Sequence, residues 1–284
     1  MSGAAALRGS AAGEASPLPA ASGGAAASPI VAPMAEKPID VAPAPAGAGT
    51  LKVKNLWHEY GSKIVLERVN LEVASHTFCS ITGPSGCGKS TFLRILLGQQ
   101  APTRGEILLD GAPLRSEPGP DRGVVFQRYS AFPHLTVLDN VALGLELARA
   151  PRFGRLFGAA RRAAREEAAT YLADVGLAAE AASYPHALSG GMRQRLSIAQ
   201  ALITRPKVLL LDEPFGALDP GTRESMHELV TRLWKECGMT VFMVTHDIRE
   251  AFKLGTRVLV FDKVRDDPHA PERFGATVTY DIAL

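Results

Sequence analysis

The sequence feature that most constrains the fold is the glycine-rich stretch Gly83-Pro84-Ser85-Gly86-Cys87-Gly88-Lys89-Ser90-Thr91. A short, largely apolar run, Phe78–Thr82, precedes it, and an apolar helical pattern that stops at Gly98 follows it. Glycines let successive backbone N–H groups point at an anion, and the N-terminal end of the next helix adds a positive dipole. The stretch therefore predicts a strand, a phosphate-binding loop and a helix, in that order.

Two side chains of this loop have the chemistry to bind a nucleotide. The spacing Gly-x-x-x-x-Gly-Lys-Ser lets Lys89 reach the outer phosphates, and the hydroxyl of Ser90 can bind Mg²⁺. We interpret Cys87 as a small side chain that the loop tolerates, and not as a nucleophile. A glycine-rich turn without a ligand is the alternative interpretation, and the flanking strand and helix disfavour it.

Strand-like runs alternate with helical patterns along the rest of the chain. The runs that read as strands are Leu51–Leu56, Ile64–Val73, Gly123–Phe126, Val208–Leu211 and Thr240–Val244. The later ones are almost wholly apolar, which is typical of parallel strands covered by helices on both faces. A helical, alanine-rich stretch from Thr136 to about Gly176 interrupts the alternation. We expect that stretch to belong to a separate helical subdomain, at about residues 128–187.

Composition narrows the class of protein. The formal net charge of +2 argues against a protein that coats nucleic acid, so no nucleic-acid partner is expected. Three cysteines fit neither a metal motif nor a disulfide framework, which favours free thiols in a reducing compartment. No apolar run approaches the roughly 20 residues that span a bilayer. Residues 1–49 are rich in Ala, Pro and Gly and predict a disordered lead-in, and either Met1 or Met34 could be the start.

Two acidic residues follow the apolar run Val208–Leu211. Asp212 and Glu213 would lie at the carboxyl end of a buried strand, which is where an α/β sheet binds its ligands. Asp212 is expected to hold Mg²⁺, directly or through water, and Glu213 to orient and polarise the attacking water. A strand that ends in a solvated acidic turn is the alternative, and the glycine loop makes it the weaker one.

A second helix start has phosphate-binding character. It lies in the sequence Leu188-Ser189-Gly190-Gly191-Met192-Arg193-Gln194-Arg195. A serine before two glycines at a helix start is suited to capping and to anion binding. An ordinary N-cap would explain Ser189 taken alone. One nucleotide does not need two such cradles from one chain, whereas two chains that face each other would use both.

These motifs resemble those of the ATP-binding cassette (ABC) ATPases. The resemblance covers residues 51–261, in which the glycine loop matches the Walker A motif, 208–213 the Walker B motif and 188–194 the family signature. Four shorter elements of the family also have matches in this sequence. They are the adenine-stacking Tyr60, the Q-loop Gln127, the D-loop Ala217-Leu218-Asp219 and the switch histidine His246.

The resemblance implies a fold and a mechanism. The fold is an α/β P-loop NTPase of ABC type: a mainly parallel sheet core, an antiparallel β subdomain and an inserted α-helical subdomain. Two subunits would meet head to tail, so that Ser189, Gly190 and Gly191 contact the γ-phosphate of the ATP bound by the other chain. Glu213 would act on water, and His246 would hold the γ-phosphate. Gln127 would touch Mg²⁺ and couple it to the helical subdomain.

The resemblance also implies partners. Because the chain lacks a membrane segment, the channel would be a separate permease, with a solute-binding protein acting indirectly. The chain would be a peripheral subunit at the cytoplasmic face of the inner membrane. Phe132–Val141 and Leu211–Asp219 resemble bacterial importer subunits of the nitrate, sulfonate, taurine and bicarbonate group. The expected reaction is hydrolysis of ATP to ADP and phosphate, coupled to import of a small polar solute.

Several alternatives remain at this point. Residues 262–282 depart from that group and resemble variants linked to guanidine-like or urea-like solutes. A soluble ABC ATPase of DNA repair would need a long coiled-coil insertion, for which the roughly sixty residues between Gln127 and the signature leave no room. A P-loop kinase or GTPase would lack the signature and His246.

We expect residues 50–265 to form the ATPase domain and 266–284 a C-terminal extension. The sequence leaves open the substrate, the identity of the partner ATPase, and the roles of the extension and of the basic stretch 149–165.

Overall fold

The structure is a computed structural model that describes residues 48–127, 130–150, 156–265, 267, 269–270 and 272–284. All of these belong to the compact unit Ile39–Leu284. The disordered lead-in predicted for residues 1–49 therefore lies outside the described residues, except for its last two positions. None of the described helices has the length and apolar character needed to cross a bilayer.

Within the described residues, ten strands form one sheet in the order β5-β4-β1-β2-β10-β9-β3-β8-β7-β6. The strands are β1 (Leu51–Tyr60), β2 (Lys63–Val73), β3 (Phe78–Thr82), β4 (Arg104–Leu109), β5 (Ala112–Pro113), β6 (Arg122–Val125), β7 (Val208–Asp212), β8 (Thr240–Val244), β9 (Arg257–Lys263) and β10 (Ala276–Ala283).

Four of the six described α-helices begin at side chains that satisfy their first backbone N–H groups. Thr136, Ser189, Asp219 and Asp247 each accept a hydrogen bond from the first turn of the helix that follows. The helices are α1 (Lys89–Leu97), α2 (Val137–Arg149), α3 (Gly158–Asp174), α4 (Gly190–Leu202), α5 (Pro220–Cys237) and α6 (Ile248–Leu254), with short 3₁₀ turns at Ala178–Glu180 and Pro185–Ala187.

One half of the sheet, β9-β3-β8-β7-β6, is wholly parallel, as the sequence predicted. Its strands are buried on both faces. In β7, Leu209 and Leu211 pack into one apolar cluster with helices α2 to α5, whereas Val208 and Leu210 pack into a second cluster with α1. Because side chains alternate across a strand, every residue of β7 from 208 to 211 needs to be apolar.

The other half of the sheet is antiparallel: β1 pairs with β2 and β4, and β4 pairs with β5. Strand β10 joins the two halves, since it pairs antiparallel with β9 along its length and parallel with β2 at Ala276 and Leu66. No strand was predicted for residues 266–284. The available signal was Ala276-Thr-Val-Thr-Tyr-Asp-Ile-Ala283, a run rich in β-branched residues. Residues 276–283 of the predicted extension are thus a strand of the sheet.

Helices α2 and α3 lie in the stretch predicted as a helical subdomain, whose boundaries stay a prediction. They pack on each other through apolar residues such as Val141, Leu145 and Leu172. Three of the four arginines that the structure describes in the basic stretch pair with acids of the same two helices. Arg149 lies 2.7 Å from Glu167, Arg161 lies 3.2 Å from Glu146, and Arg165 pairs with Asp139. This pairing fits the interpretation of the stretch as a solvated helix surface.

Candidate active site

The glycine loop connects β3 to α1 through backbone angles that favour glycine. The φ angles of Gly83, Gly86 and Gly88 are +144°, +78° and +99°. A Cβ atom on Gly83 would lie 2.0 Å from the carbonyl oxygen of Phe261 in β9, and one on Gly88 would lie 2.9 Å from the side chain of Val65. Both positions therefore require glycine for space as well as for backbone conformation.

Lys89 is the first residue of α1, and its side chain folds back over the loop. Its ammonium donates to the carbonyl oxygens of Gly83 and Pro84 at 2.8 and 2.7 Å and lies 3.8 Å from Sγ of Cys87. Burial raises the pKa of the Cys87 thiol above its ordinary value, against the charge of Lys89. A neutral thiol is a poor nucleophile, which agrees with the interpretation of Cys87 as a small loop residue.

Ser90 and Asp212 come together from two different elements. The hydroxyl of Ser90, in the first turn of α1, donates to Oδ1 of Asp212 at the end of β7, at 3.1 Å. Burial raises the pKa of Asp212, and the hydrogen bond from Ser90 opposes that rise. A desolvated carboxylate beside a hydroxyl is a pair of hard oxygen ligands, the type that Mg²⁺ prefers. The two residues therefore fit the magnesium site predicted for them.

Glu213 is the point on which two more predicted residues converge. Nε2 of Gln127 donates to Oε2 of Glu213 at 3.3 Å, and Nδ1 of His246 lies 3.6 Å from the same oxygen. Glu213 has a φ angle of +48°, a conformation that non-glycine residues rarely adopt and that costs about 1–2 kcal/mol. Such strain is typical of functional sites, because the surrounding structure has to hold it. Gln127 was also predicted to touch Mg²⁺, and that contact stays a prediction.

A small cavity of about 40 Å³ opens beside Glu213 and His246. Gly216 lies on its wall, and a Cβ atom there would be in ordinary van der Waals contact with the imidazole of His246, at 3.7 Å. Polar groups line much of it, including Thr245 and Glu250 from the segment around His246. His246 and Glu213 were predicted as site residues from the sequence, whereas these two neighbours were not.

Tyr60 ends β1 with a ring that is 45% exposed. Its hydroxyl donates to Oε1 of Gln100 at 2.7 Å, and the ring of His58 packs edge-on against it with centroids 4.7 Å apart. These contacts orient an aromatic face without covering it. The geometry suits a residue that stacks on a flat ring, and the adenine-stacking role stays a prediction.

The second predicted phosphate cradle lies at the start of α4. Oγ of Ser189 accepts a hydrogen bond from the backbone N–H of Met192 at 3.3 Å, so Ser189 is an N-cap as expected. Gly191 lies against α5, because a Cβ atom on it would meet Cγ2 of Thr222 at 2.4 Å. Glycine at position 191 thus allows the signature segment to approach the helix that follows Asp219.

Comparison with known proteins decides the family. A protein-family model described as ABC transporter matches residues 66–216, more than half of the chain. The chain belongs to the ABC transporter family. The matched range contains the glycine loop, Gln127, Ser189–Gly191 and the acidic pair at 212–213, whereas Tyr60 and His246 lie outside it.

Individual relatives agree with this assignment. An uncharacterized ABC transporter ATP-binding protein of Methanocaldococcus jannaschii is 44% identical over 74% of this chain and 76% of its own length. The taurine import ATP-binding protein TauB of Rhizobium johnstonii is 47% identical over 71% of this chain and 73% of its own length. Both relatives are named as ATP-binding proteins, which agrees with the phosphate-binding geometry of the glycine loop.

A solved structure confirms the fold. A dimeric ATP-binding cassette in a post-hydrolysis state, bound to ADP and Pi, has a TM-score of 0.67 at 33% sequence identity. The match covers 82% of this chain and 98% of that cassette. The predicted α/β P-loop fold of ABC type is therefore confirmed, and ATP is the nucleotide that this chain of the ABC transporter family binds.

Proposed function

We propose that this chain is the ATP-hydrolysing subunit of an ABC importer for a small polar solute of the sulfonate or taurine kind. The observation that carries the proposal is the convergence of Gln127 and His246 on the carboxylate of Glu213, next to the Ser90–Asp212 pair. Three loops and one helix start thus bring a water-activating acid and a cation site together at the carboxyl ends of parallel strands. Residues 50–265 would form most of this ATPase domain, and strand β10 completes its sheet.

The glycine loop and the oxygen pair hold the triphosphate. Backbone N–H groups of the glycine loop, except at Pro84, which has none, and the ammonium of Lys89 would bind the β- and γ-phosphates, and Ser90 and Asp212 would hold Mg²⁺. The cation, when bound, neutralises charge that develops on the phosphate oxygens. Tyr60 stacks on the adenine ring, which fixes the orientation of the whole nucleotide relative to the loop.

Glu213 acts on the attacking water. Its carboxylate accepts a proton from a water held in line with the γ-phosphate. His246 binds the γ-phosphate itself. Gln127 couples the nucleotide site to the helical subdomain, because it lies between β6 and the segment that leads into α2. Most of the rate enhancement comes from position and charge, since phosphoryl transfer needs little covalent participation from the protein.

The complete site needs a second chain. Ser189, Gly190 and Gly191 at the start of α4 would contact the γ-phosphate bound by the partner, so that two ATP molecules lie between two chains arranged head to tail. The dimeric form of the similar cassette supports this arrangement. Closure on ATP is then a population shift whose extent is limited by the difference in ATP affinity between the open and closed states.

The name of the taurine import relative supports a sulfonate-type solute and a membrane permease as partner. In this arrangement the chain sits at the cytoplasmic face of the inner membrane as a peripheral subunit, and a solute-binding protein delivers the solute to the permease. Reconstitution of the complete transporter in liposomes tests the substrate. Taurine should stimulate ATP hydrolysis, and nitrate, bicarbonate and urea serve as comparison solutes.

The substitution Glu213→Gln tests the catalytic assignment. It should leave ATP binding intact, abolish turnover and accumulate an ATP-bound dimer that size-exclusion chromatography detects, because the amide cannot accept the proton of water. Hydrolysis at the wild-type rate would refute the role of Glu213.

The substitution Ser189→Arg tests the contribution of the second chain. It should abolish hydrolysis and leave the ATP affinity of the single chain unchanged, because only the cradle offered to the partner is disrupted. A titration with a fluorescent ATP analogue separates the two effects, and equal loss of binding and hydrolysis would argue against the assignment to the partner's site.

A further inference from the structure

A hydrogen-bond network of three buried polar side chains, Thr245, Glu250 and His227, lies behind the two residues proposed to act on water and the γ-phosphate. The hydroxyl of Thr245 donates to Oε2 of Glu250, and the imidazole of His227 lies 2.8 Å from Oε1 of the same carboxylate. A carboxylate only accepts hydrogen bonds, so Nε2 of His227 carries the proton that it donates to Glu250. The result is a continuous connection from α5, through α6, to the end of β8.

The three side chains are more than nine-tenths buried: Thr245, His227 and Glu250 are 2%, 6% and 7% exposed. Buried acids are uncommon, because their desolvation has to be offset by charge or hydrogen bonds. Glu250 meets this demand with one donor on each oxygen. Nδ1 of His227 has no hydrogen-bond partner among the described residues, and its nearest acid oxygen is on Glu224, 3.8 Å away. Burial of these polar groups costs free energy, so a role in packing alone does not explain why they are there.

This network connects to His246 through the turn Thr245–Asp247, which we name the switch turn. Besides donating to Glu250, Oγ1 of Thr245 accepts a hydrogen bond from the backbone N–H of Asp247 at 3.1 Å. The backbone N–H of Thr245 donates to the carbonyl oxygen of Ile81 in β3 at 3.0 Å. The hydroxyl of Thr245 therefore ties together the residues immediately before and after His246.

The opposite end of the network, at His227, connects to the segment that carries Glu213. The ring of His227 packs edge-on against Phe215, with centroids 4.9 Å apart, and Phe215 is fully buried two residues after Glu213. The backbone N–H of Glu213 donates to the carbonyl oxygen of Val244, next to the switch turn, at 3.0 Å. The imidazole of His227 thus contacts the segment that carries Glu213 and, through Glu250, the turn that carries His246.

We propose that Thr245, Glu250 and His227 are positioning residues that fix the distance between Glu213 and His246, so that both groups address one water molecule and one γ-phosphate. They act by locking the backbone on both sides of the site. The inference rests on the proposed function, because it assumes that Glu213 and His246 act on the nucleotide. A displacement of about 1 Å in such a pair is enough to lower a catalytic rate by up to about a hundredfold.

The test uses the full chain and a matched pair of variants at position 245. Thr245→Val keeps the shape and removes the hydroxyl, whereas Thr245→Ser keeps the hydroxyl. Thr245→Val should lower kcat for ATP hydrolysis about tenfold and leave KM and the affinity for a fluorescent ATP analogue within about twofold. Thr245→Ser should recover kcat to within about threefold of wild type. Equal kcat values for the valine and serine variants would overturn the proposal.

A second pair, at position 227, keeps the proposal testable if Thr245→Val does not fold. His227→Gln retains a donor toward Glu250, and His227→Phe fills the space without one. The expected result is a kcat for the phenylalanine variant about tenfold below that of the glutamine variant, with equal ATP affinity. A proportional loss of ATP affinity in the phenylalanine variant would indicate a general structural role and would contradict the proposal.

A double-mutant cycle with His246→Ala separates positioning from stability. If Thr245 acts through His246, Thr245→Val lowers the single-turnover rate by less than about twofold in the His246→Ala background. A full tenfold loss in that background would refute the connection. Failure of the proposed function has a different appearance: wild-type chain that does not hydrolyse ATP, or a His246→Ala variant with wild-type kcat, rejects the site assignment itself.

Discussion

Replacement of Gly83 by alanine tests whether the shape of the phosphate loop is fixed by its packing against β9. Gly83 follows β3 directly, with a φ angle of +144°, and the space for a Cβ atom is occupied by the carbonyl oxygen of Phe261 at 2.0 Å. Strand β9 pairs with β3 at the adjacent residues Thr82 and Val260. Neither strand can move away without loss of ladder hydrogen bonds. The matched control is Gly86→Ala, because Gly86 has a φ angle of +78° and no neighbouring atom within 4 Å of its Cβ position.

The two alanine variants share one unfavourable contribution and differ in a second. A positive φ angle costs a residue with a side chain about 1–2 kcal/mol at either position. Real Cβ atoms essentially never approach another heavy atom more closely than 3.0 Å, so the contact in Gly83→Ala forces a backbone shift of about 1 Å. Overpacking of this kind adds about 1–3 kcal/mol. The free energy of unfolding should therefore fall by about 2–5 kcal/mol for Gly83→Ala and by about 1–2 kcal/mol for Gly86→Ala.

Thermal unfolding of the purified chain measures this difference. For a domain of this size, 1 kcal/mol corresponds to about 2–4 °C in Tm, so the melting temperature of Gly83→Ala should lie about 2–12 °C below that of Gly86→Ala. Urea unfolding gives the same comparison on a free-energy scale. Equal stability of the two variants would show that Phe261 does not constrain the loop, and that the backbone angle alone selects glycine at position 83.

Two further substitutions test contacts away from the glycine loop. Asn140→Leu should lower the free energy of unfolding by about 2–4 kcal/mol in urea titrations, since it leaves the backbone N–H of Phe132 and the carbonyl oxygen of Leu135 without their side-chain partner. Asp281→Asn should lower stability by up to about 1 kcal/mol at pH 7, because the partly exposed Asp281 pairs with Arg257 at 2.6 Å. That pairing lowers the pKa of Asp281, so its stabilisation is lost as the pH falls through the lowered pKa, and melting curves of wild type and variant should converge there.

Elements with strong local signals were predictable from the sequence. Strand β8 has the predicted limits Thr240–Val244, because all five of its residues are apolar or β-branched and helices flank the run. Helix α4 begins directly after its predicted N-cap Ser189, since a side-chain oxygen before two glycines is a local capping signal. The glycine loop belongs to the same class: its φ angles, its lysine and its serine are specified within nine consecutive residues.

Elements defined by distant partners were not predictable in the same way. Strand β10 pairs with β9 and, at Ala276, with Leu66 of β2, and no local pattern states which strand will be the neighbour. Glu250 gives the same lesson for the site. An acid in the third position of a short helix reads as solvated. Its burial depends on His227, which is 23 residues away on another helix, and on Thr245, which follows β8. Sequence alone also did not indicate that Gln127 would reach Glu213.

The contacts of Lys89 indicate how the phosphate loop selects anions. Its ammonium has three N–H donors, of which two bind the carbonyl oxygens of Gly83 and Pro84 while Sγ of Cys87 lies 3.8 Å away, so a bound phosphate competes with existing contacts. A neutral acceptor would exchange bonds of equal strength and gain nothing, whereas hydrogen bonds to an ionised acceptor are about twice as strong. The free energy gained through Lys89 is therefore the difference between anionic and neutral acceptors. We therefore expect Lys89 to contribute selectivity for charged phosphates, beside the backbone N–H groups and the helix dipole, which also favour an anion.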